Sequence, residues 1–131
     1  MQVRPEQILP SQDFLKEKTI RFILECFRTG RIDELPPTPL VRHDEEGNLV
    51  AIDGHNLIAV RLHRNEPIDI IVVTSPEDGL PETSEANAAR NRDLAEKYDT
   101  VLAEQRRVAA EGIASFGDLI AKYPDLFGET T

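Results

Sequence analysis

The feature that most constrains this chain is the junction Leu49-Val50-Ala51-Ile52-Asp53-Gly54-His55-Asn56. Leu49 to Ile52 reads as a strand, and after Asp53-Gly54 the apolar positions change to a helical spacing through Leu57, Ile58, Val60 and Leu62. A strand therefore hands over to a helix within a residue or two. Such a junction presents backbone N–H groups that have no partner in the helix, at the positive end of its macrodipole. Anions bind there readily. Gly54 permits close backbone approach to a phosphate, while His55 and Asn56 can donate side-chain hydrogen bonds to it. A plainer reading gives the same residues ordinary work, with Asp53 capping the helix, Gly54 making the turn and His55 at the surface.

The flanking segments supply the rest of a small domain. Ile8 and Leu9 precede Pro10, and Ser11 is placed to cap a helix over about 12–29 whose apolar positions are Phe14, Leu15, Thr19, Phe22, Ile23, Cys26 and Phe27. Gly30 suits a left-handed helix end, and Leu35-Pro36-Pro37-Thr38-Pro39 is too proline-rich to continue it. Pro39 to His43 and Leu49 to Ile52 form a hairpin around Asp44-Glu45-Glu46-Gly47-Asn48, with Gly47 or Asn48 at positive φ. The helix opened by Gly54 stops before Pro67, and Ile68 to Val73 is an apolar run suited to a buried strand. The expected class is α/β (α+β), a small mixed sheet in the order strand, helix, hairpin, helix, strand, over residues 1–76.

Thr74 to Pro81 is rich in turn formers, and residues 83–123 then read as a helical extension, with 124–131 as a flexible tail. Ser84 to about Gly112 lacks proline and is rich in Ala, Glu, Arg and Leu, which predicts one long helix. Leu94, Tyr98, Val101, Gln105 and Val108 give it a seam that must pack on another surface. The first domain and a second copy of the chain are both candidates, so a homodimer or a protein partner through Leu94, Tyr98, Val101 and Val108 is one expectation. Ser115 caps a last short helix through about Lys122.

Composition narrows the function classes. The 131 residues carry 15 basic and 24 acidic side chains, net −9, which disfavours direct DNA binding. Residues 1–76 are net −3 and 77–131 net −6, so phosphate-directed function is expected in the first part. The apolar runs are too short for a membrane span and the first ten residues have no signal-like core, which points to a cytoplasmic protein. Cys26, the single cysteine, lies on the apolar face of the first helix and is expected to pack as a small hydrophobe. His43, His55 and His63 have no ligand-motif spacing, and no metal site is expected from them; the acidic tip Asp44-Glu45-Glu46 is expected to be solvated.

Taken together, Ile8-Leu9-Pro10, the first helix, Leu35 to Val41, Leu49 to Asn56 and Ile68 to Val73 resemble the ParB/sulfiredoxin superfamily over about residues 1–74. The resemblance implies nucleotide binding, of CTP, ATP or ADP, by the turn Asp53, Gly54, His55 and Asn56, with Mg²⁺ bridging the phosphates and phosphotransfer or hydrolysis as the chemistry. Family members usually carry an Arg just after the Gly-His pair, and Asn56 stands there in this chain. Asn supplies none of that charge, so Arg61, Arg42 or Arg64 would have to provide the cation. Gly54 occupies the position of the sulfiredoxin nucleophilic Cys, which excludes sulfinic acid reduction. The acidic C-terminal stretch lacks the basic helix-turn-helix of the partition proteins. The alternative reading is a non-enzymatic interaction or dimerisation module with a degenerate pocket. Replacing Gly54 with a bulky residue is expected to separate the two readings by abolishing binding without disturbing the fold.

Overall fold

Strand β4 (Leu49–Asp53) is the axis of the molecule. In the computed structural model, which describes residues 1–76 and 85–127, β4 runs parallel to β2 (Ile8–Leu9) on one side and antiparallel to β3 (Leu40–His43) on the other. The far edge of β3 carries β6 (Ile71–Val72) in parallel, so the main sheet has the order β2-β4-β3-β6. A separate two-stranded sheet joins β1 (Gln2–Val3) to β5 (Ile68–Asp69). The architecture is mixed α+β. Between β3 and β4 the hairpin tip is tied by the Asp44 carboxylate, which accepts the N–H groups of Glu46 and Asn48, and Gly47 sits at φ 86°.

Leu49, Val50, Ala51 and Ile52 are all buried because β4 is covered on both faces. Leu49 and Ala51 point into a core with Ile20 and Ile23 of α1 (Glu17–Thr29) and Leu57 to Val60 of α2 (His55–His63). Val50 and Ile52, alternating to the opposite face, pack with Leu40 and Val73 against Leu94 of α3 (Glu85–Tyr98) and Val101 of α4 (Val101–Ala110). Cys26 is buried on α1, and Gly30 ends that helix in the left-handed region at φ 74°.

The structure departs from the sequence expectation in four places. The first helix begins at Glu17 rather than near 12, because Ser11 spends its hydroxyl and N–H on other partners and the chain from 11 to 16 stays irregular; Phe14 in that segment is exposed, and so is Phe22, on the outer side of α1. The run Ile68 to Val73 is two strands. The chain changes partner at Ile70, whose N–H bonds Met1 O at 2.8 Å, while Ile71 N–H already bonds Pro39 O at 3.0 Å. The long helix breaks at Asp99-Thr100, where Thr100 N–H closes a turn on Lys97 O at 3.1 Å, and Leu94 and Val101, on either side of the break, pack in the same cluster against the sheet. Residues 124–127 form a helical turn, α6 (Pro124–Phe127), that buries Phe127, and are not part of a loose tail.

The seam on α3 and α4 therefore closes on the chain's own sheet and core. Leu94 and Val101 are buried against the first-domain strands, and Val108 joins the core on the other face with Phe116 and Leu119 of α5 (Phe116–Ala121). Tyr98, between Leu94 and Val101, is partly buried against the same cluster as those two residues. Ser115 caps α5 by accepting the Asp118 N–H at 3.1 Å. The expected linker beyond Pro76 and the last four residues lie outside the described residues. Among the described residues no helix is long and apolar enough to cross a membrane.

Candidate functional site

Gly54 holds the handover from β4 to α2 at φ 93°, a conformation that L side chains rarely adopt. A Cβ at this position would lie 2.7 Å from Pro39 Cβ. Gly54 is thus a packing requirement as well as a turn residue, and a bulky replacement would damage the fold, contrary to the expectation of a clean binding probe. No side chain caps α2. Asp53 instead turns Oδ1 back to accept the Gly54 N–H at 2.9 Å. The first intrahelical bond runs from Ile58 N–H to Gly54 O, so the N–H groups of His55, Asn56 and Leu57 precede it.

His55 and Asn56 are anchors for the loop 11–16. The His55 ring is 4% exposed, packs 5.5 Å centroid to centroid from Phe116, and accepts the Ser11 N–H on Nε2 at 3.0 Å. Because Nε2 accepts, the neutral ring carries its proton on Nδ1. Burial holds its pKa down at about 3; the Asp53 carboxylate opposes this and Lys97 adds to it. Ser11 Oγ donates to Ala51 O at 2.6 Å, fixing the loop to β4. Asn56 Oδ1 accepts the Lys16 N–H at 2.9 Å at the other end of the loop. Between them, Tyr123 Oη accepts the Leu15 N–H at 2.9 Å, Gln12 Nε2 donates to Phe14 O at 2.9 Å, and Lys122 Nζ donates to Asp13 O.

The loop and the start of α2 wall a cavity of about 280 Å³. Its described lining holds three cations, Lys16, Arg90 and Lys97, against one carboxylate, Asp53, in a chain of net charge −9. Arg90 comes from α3, with its side chain only 12% exposed. Its Nε donates to Asp53 Oδ2 at 3.1 Å and its Nη2 to Thr38 O. A smaller hollow of about 140 Å³ shares Gln12, Ile52 and Lys97 with the cavity and continues to Thr100, Val101 and Glu104.

The arginines close to the turn in sequence lie elsewhere. Arg61 pairs with Glu66 at 3.1 Å, lies 4.7 Å over the Phe27 ring, and lines a neighbouring hollow with Pro36 to Pro39. Arg64 shares both partners. Arg42 donates to Tyr98 O at 2.8 Å and stacks on the Tyr98 ring. None of the three lines the cavity. Arg90 and Lys97 were missed because no local pattern marks them: Arg90 meets Asp53 across 37 residues, from the half of the chain whose net charge argued against phosphate-directed function.

The donors do not suit a Mg²⁺ held by the protein. Asp53 is the single carboxylate in the described lining, and both its oxygens are occupied, by Gly54 N–H and by Arg90. Models of protein families, curated proteins and solved structures were compared with this chain, and none matches.

Proposed function

We propose that the cavity binds the phosphates of a nucleotide, in a domain of the ParB/sulfiredoxin type whose missing turn arginine is replaced from the C-terminal helices. The observation that carries this reading is the convergence of Arg90, Lys97 and Lys16 on the uncapped start of α2 in an otherwise acidic protein. A helix N-terminus backed by cations favours a polyanion over a neutral ligand. The phosphates would meet the His55, Asn56 and Leu57 N–H groups, with Arg90 and the two lysines around them. His55 and Asn56 act as positioning residues that hold the loop carrying Lys16. Any Mg²⁺ would arrive on the phosphates.

A second reading is favoured by Arg90's own contacts: with Asp53 and Thr38 O already engaged, it is a strut that seats α3 on the sheet. The two readings separate in a thermal-shift titration of the full chain with CTP, ATP, ADP and GTP, in Mg²⁺ and in EDTA. A nucleotide at about 100 times its Kd adds about 2.7 kcal/mol and raises Tm. The phosphate reading expects a rise with at least one nucleotide, persisting in EDTA and clearly reduced in Arg90→Ala. No rise with any of the four would leave Arg90 as a strut.

A further inference from the structure

Phe14 lines the cavity and is 45% exposed. A single exposed phenylalanine is ordinary on a protein surface; the distinguishing feature here is the backbone beneath it. Residues 11–16 form no regular helix or strand, yet five of the six are tied through a backbone group to a side chain: Ser11 to His55, Asp13 to Lys122, Phe14 to Gln12, Leu15 to Tyr123 and Lys16 to Asn56. Four of these bonds tie the irregular segment to α2 and to the residues around Tyr123, and the segment presents a partly exposed apolar ring to a cavity lined by three cations. Size adds a second argument. A cavity of about 280 Å³ falls just below the usual range of roughly 300–1,000 Å³ for ligand pockets. Phosphates seated on the start of α2 would leave the remainder of a larger ligand to extend toward solvent, and Phe14 is the partly exposed aromatic ring in the described lining.

We infer that Phe14 is a preorganised stacking platform for a planar heterocycle attached to the phosphates, so that the ligand is bound at both ends, by charge inside and by its ring at the rim. This rests on the phosphate reading above. Stacking on a phenyl face tolerates every base, because each has a π-face, so discrimination among nucleotides at this contact is small. The smaller hollow is a poorer seat for the ring, since no aromatic side chain is among its described lining residues.

Calorimetric titration of the full chain with ATP and, separately, with inorganic tripolyphosphate tests the inference in wild type and in Phe14→Ala, Phe14→Trp and Glu104→Gln. The expected result is that Phe14→Ala weakens ATP about tenfold, equivalent to about 1.4 kcal/mol, leaves tripolyphosphate unchanged, and is rescued by Phe14→Trp. Equal ATP affinity in Phe14→Ala and wild type would overturn the platform while leaving the phosphate site standing. Equal losses for both probes would overturn it as well, by showing that the substitution disturbs the loop. A loss confined to Glu104→Gln would move the ring to the hollow below Thr100 and overturn it too. Failure of both probes to bind wild type would remove the phosphate reading itself, and the platform with it.

Discussion

The two ends of α2 carry cations in very different circumstances. At the C-terminal end Arg61 and Arg64 share Glu66 and both lie over the Phe27 ring. At the N-terminal end no arginine is present in the local sequence, yet Arg90 and Lys97 arrive from α3 and Lys16 from the loop before α1. Proximity in sequence placed positive charge at one end, and tertiary packing delivered it to the other. A cation's usefulness to a ligand depends on what already neutralises it. Glu66 takes up both Arg61 and Arg64, and its carboxyl is held below the usual range chiefly by the hydrogen bond from Arg64, against the opposing effect of burial. At the other end Asp53 takes up Arg90, while Lys16 and Lys97 form no ion pair among the described residues.

The contrast can be broken most forcefully at Gly54. Gly54→Val combines positive φ with a Cβ clash against Pro39, and should cost about 3 kcal/mol or more in urea unfolding. The next effect is the pH dependence set by His55. Its folded pKa of about 3 lies below the ordinary 6.5, so between those values the unfolded chain binds a proton that the folded chain refuses. This contribution to stability is complete above pH 6.5 and is lost as pH falls toward 3. Unfolding free energies from urea titrations taken down to about pH 5 should fall by about 2 kcal/mol from this group, at about 1.4 kcal/mol per pH unit. His55→Gln, which can still accept the Ser11 N–H, should flatten that slope.

Arg90→Ala and Arg61→Ala set the two ends directly against each other. The first should weaken nucleotide binding about tenfold or more, the scale of a lost charge-assisted hydrogen bond, and the second by less than about twofold; equal losses in a calorimetric titration would erase the distinction. Tyr123→Phe unties the Leu15 N–H and should cost about 1 kcal/mol of stability. Glu66→Gln acts at the other end of α2. It should alter stability by about 1 kcal/mol, since the ion pairs it weakens are only about one-third exposed, and nucleotide affinity not at all.

Where backbone chemistry is local, the sequence was readable. Gly30 and Gly47 sit in the left-handed region, where helix end and hairpin tip require it, and Ser115 caps α5 as its position indicated. Where a residue had two local options, pattern was misleading. Ser11 looked like a helix cap with Phe14 in phase behind it, but a buried imidazole 44 residues away claims its N–H. Nothing near Tyr98 breaks a helix in composition. Leu94 and Val101 both pack against the sheet across the break, as their spacing in an unbroken helix would also allow. The candidate cavity was legible on its floor, at Asp53 to Asn56, and invisible in its walls, because Arg90 and Lys97 gain their meaning only once α3 is folded back over β4.

That arrangement links affinity to folding. Among the described side chains of α3, Leu94 alone is fully buried, so the helix that supplies two of the three cations is seated by little apolar area. A ligand held by Arg90 and Lys97 binds only the seated population, and its apparent Kd is the intrinsic value divided by that fraction. By the same linkage the ligand would slow amide hydrogen exchange along α3 more than along α2. A single residue such as Leu94, remote from the phosphates, would then tune how much nucleotide the protein holds at a given concentration.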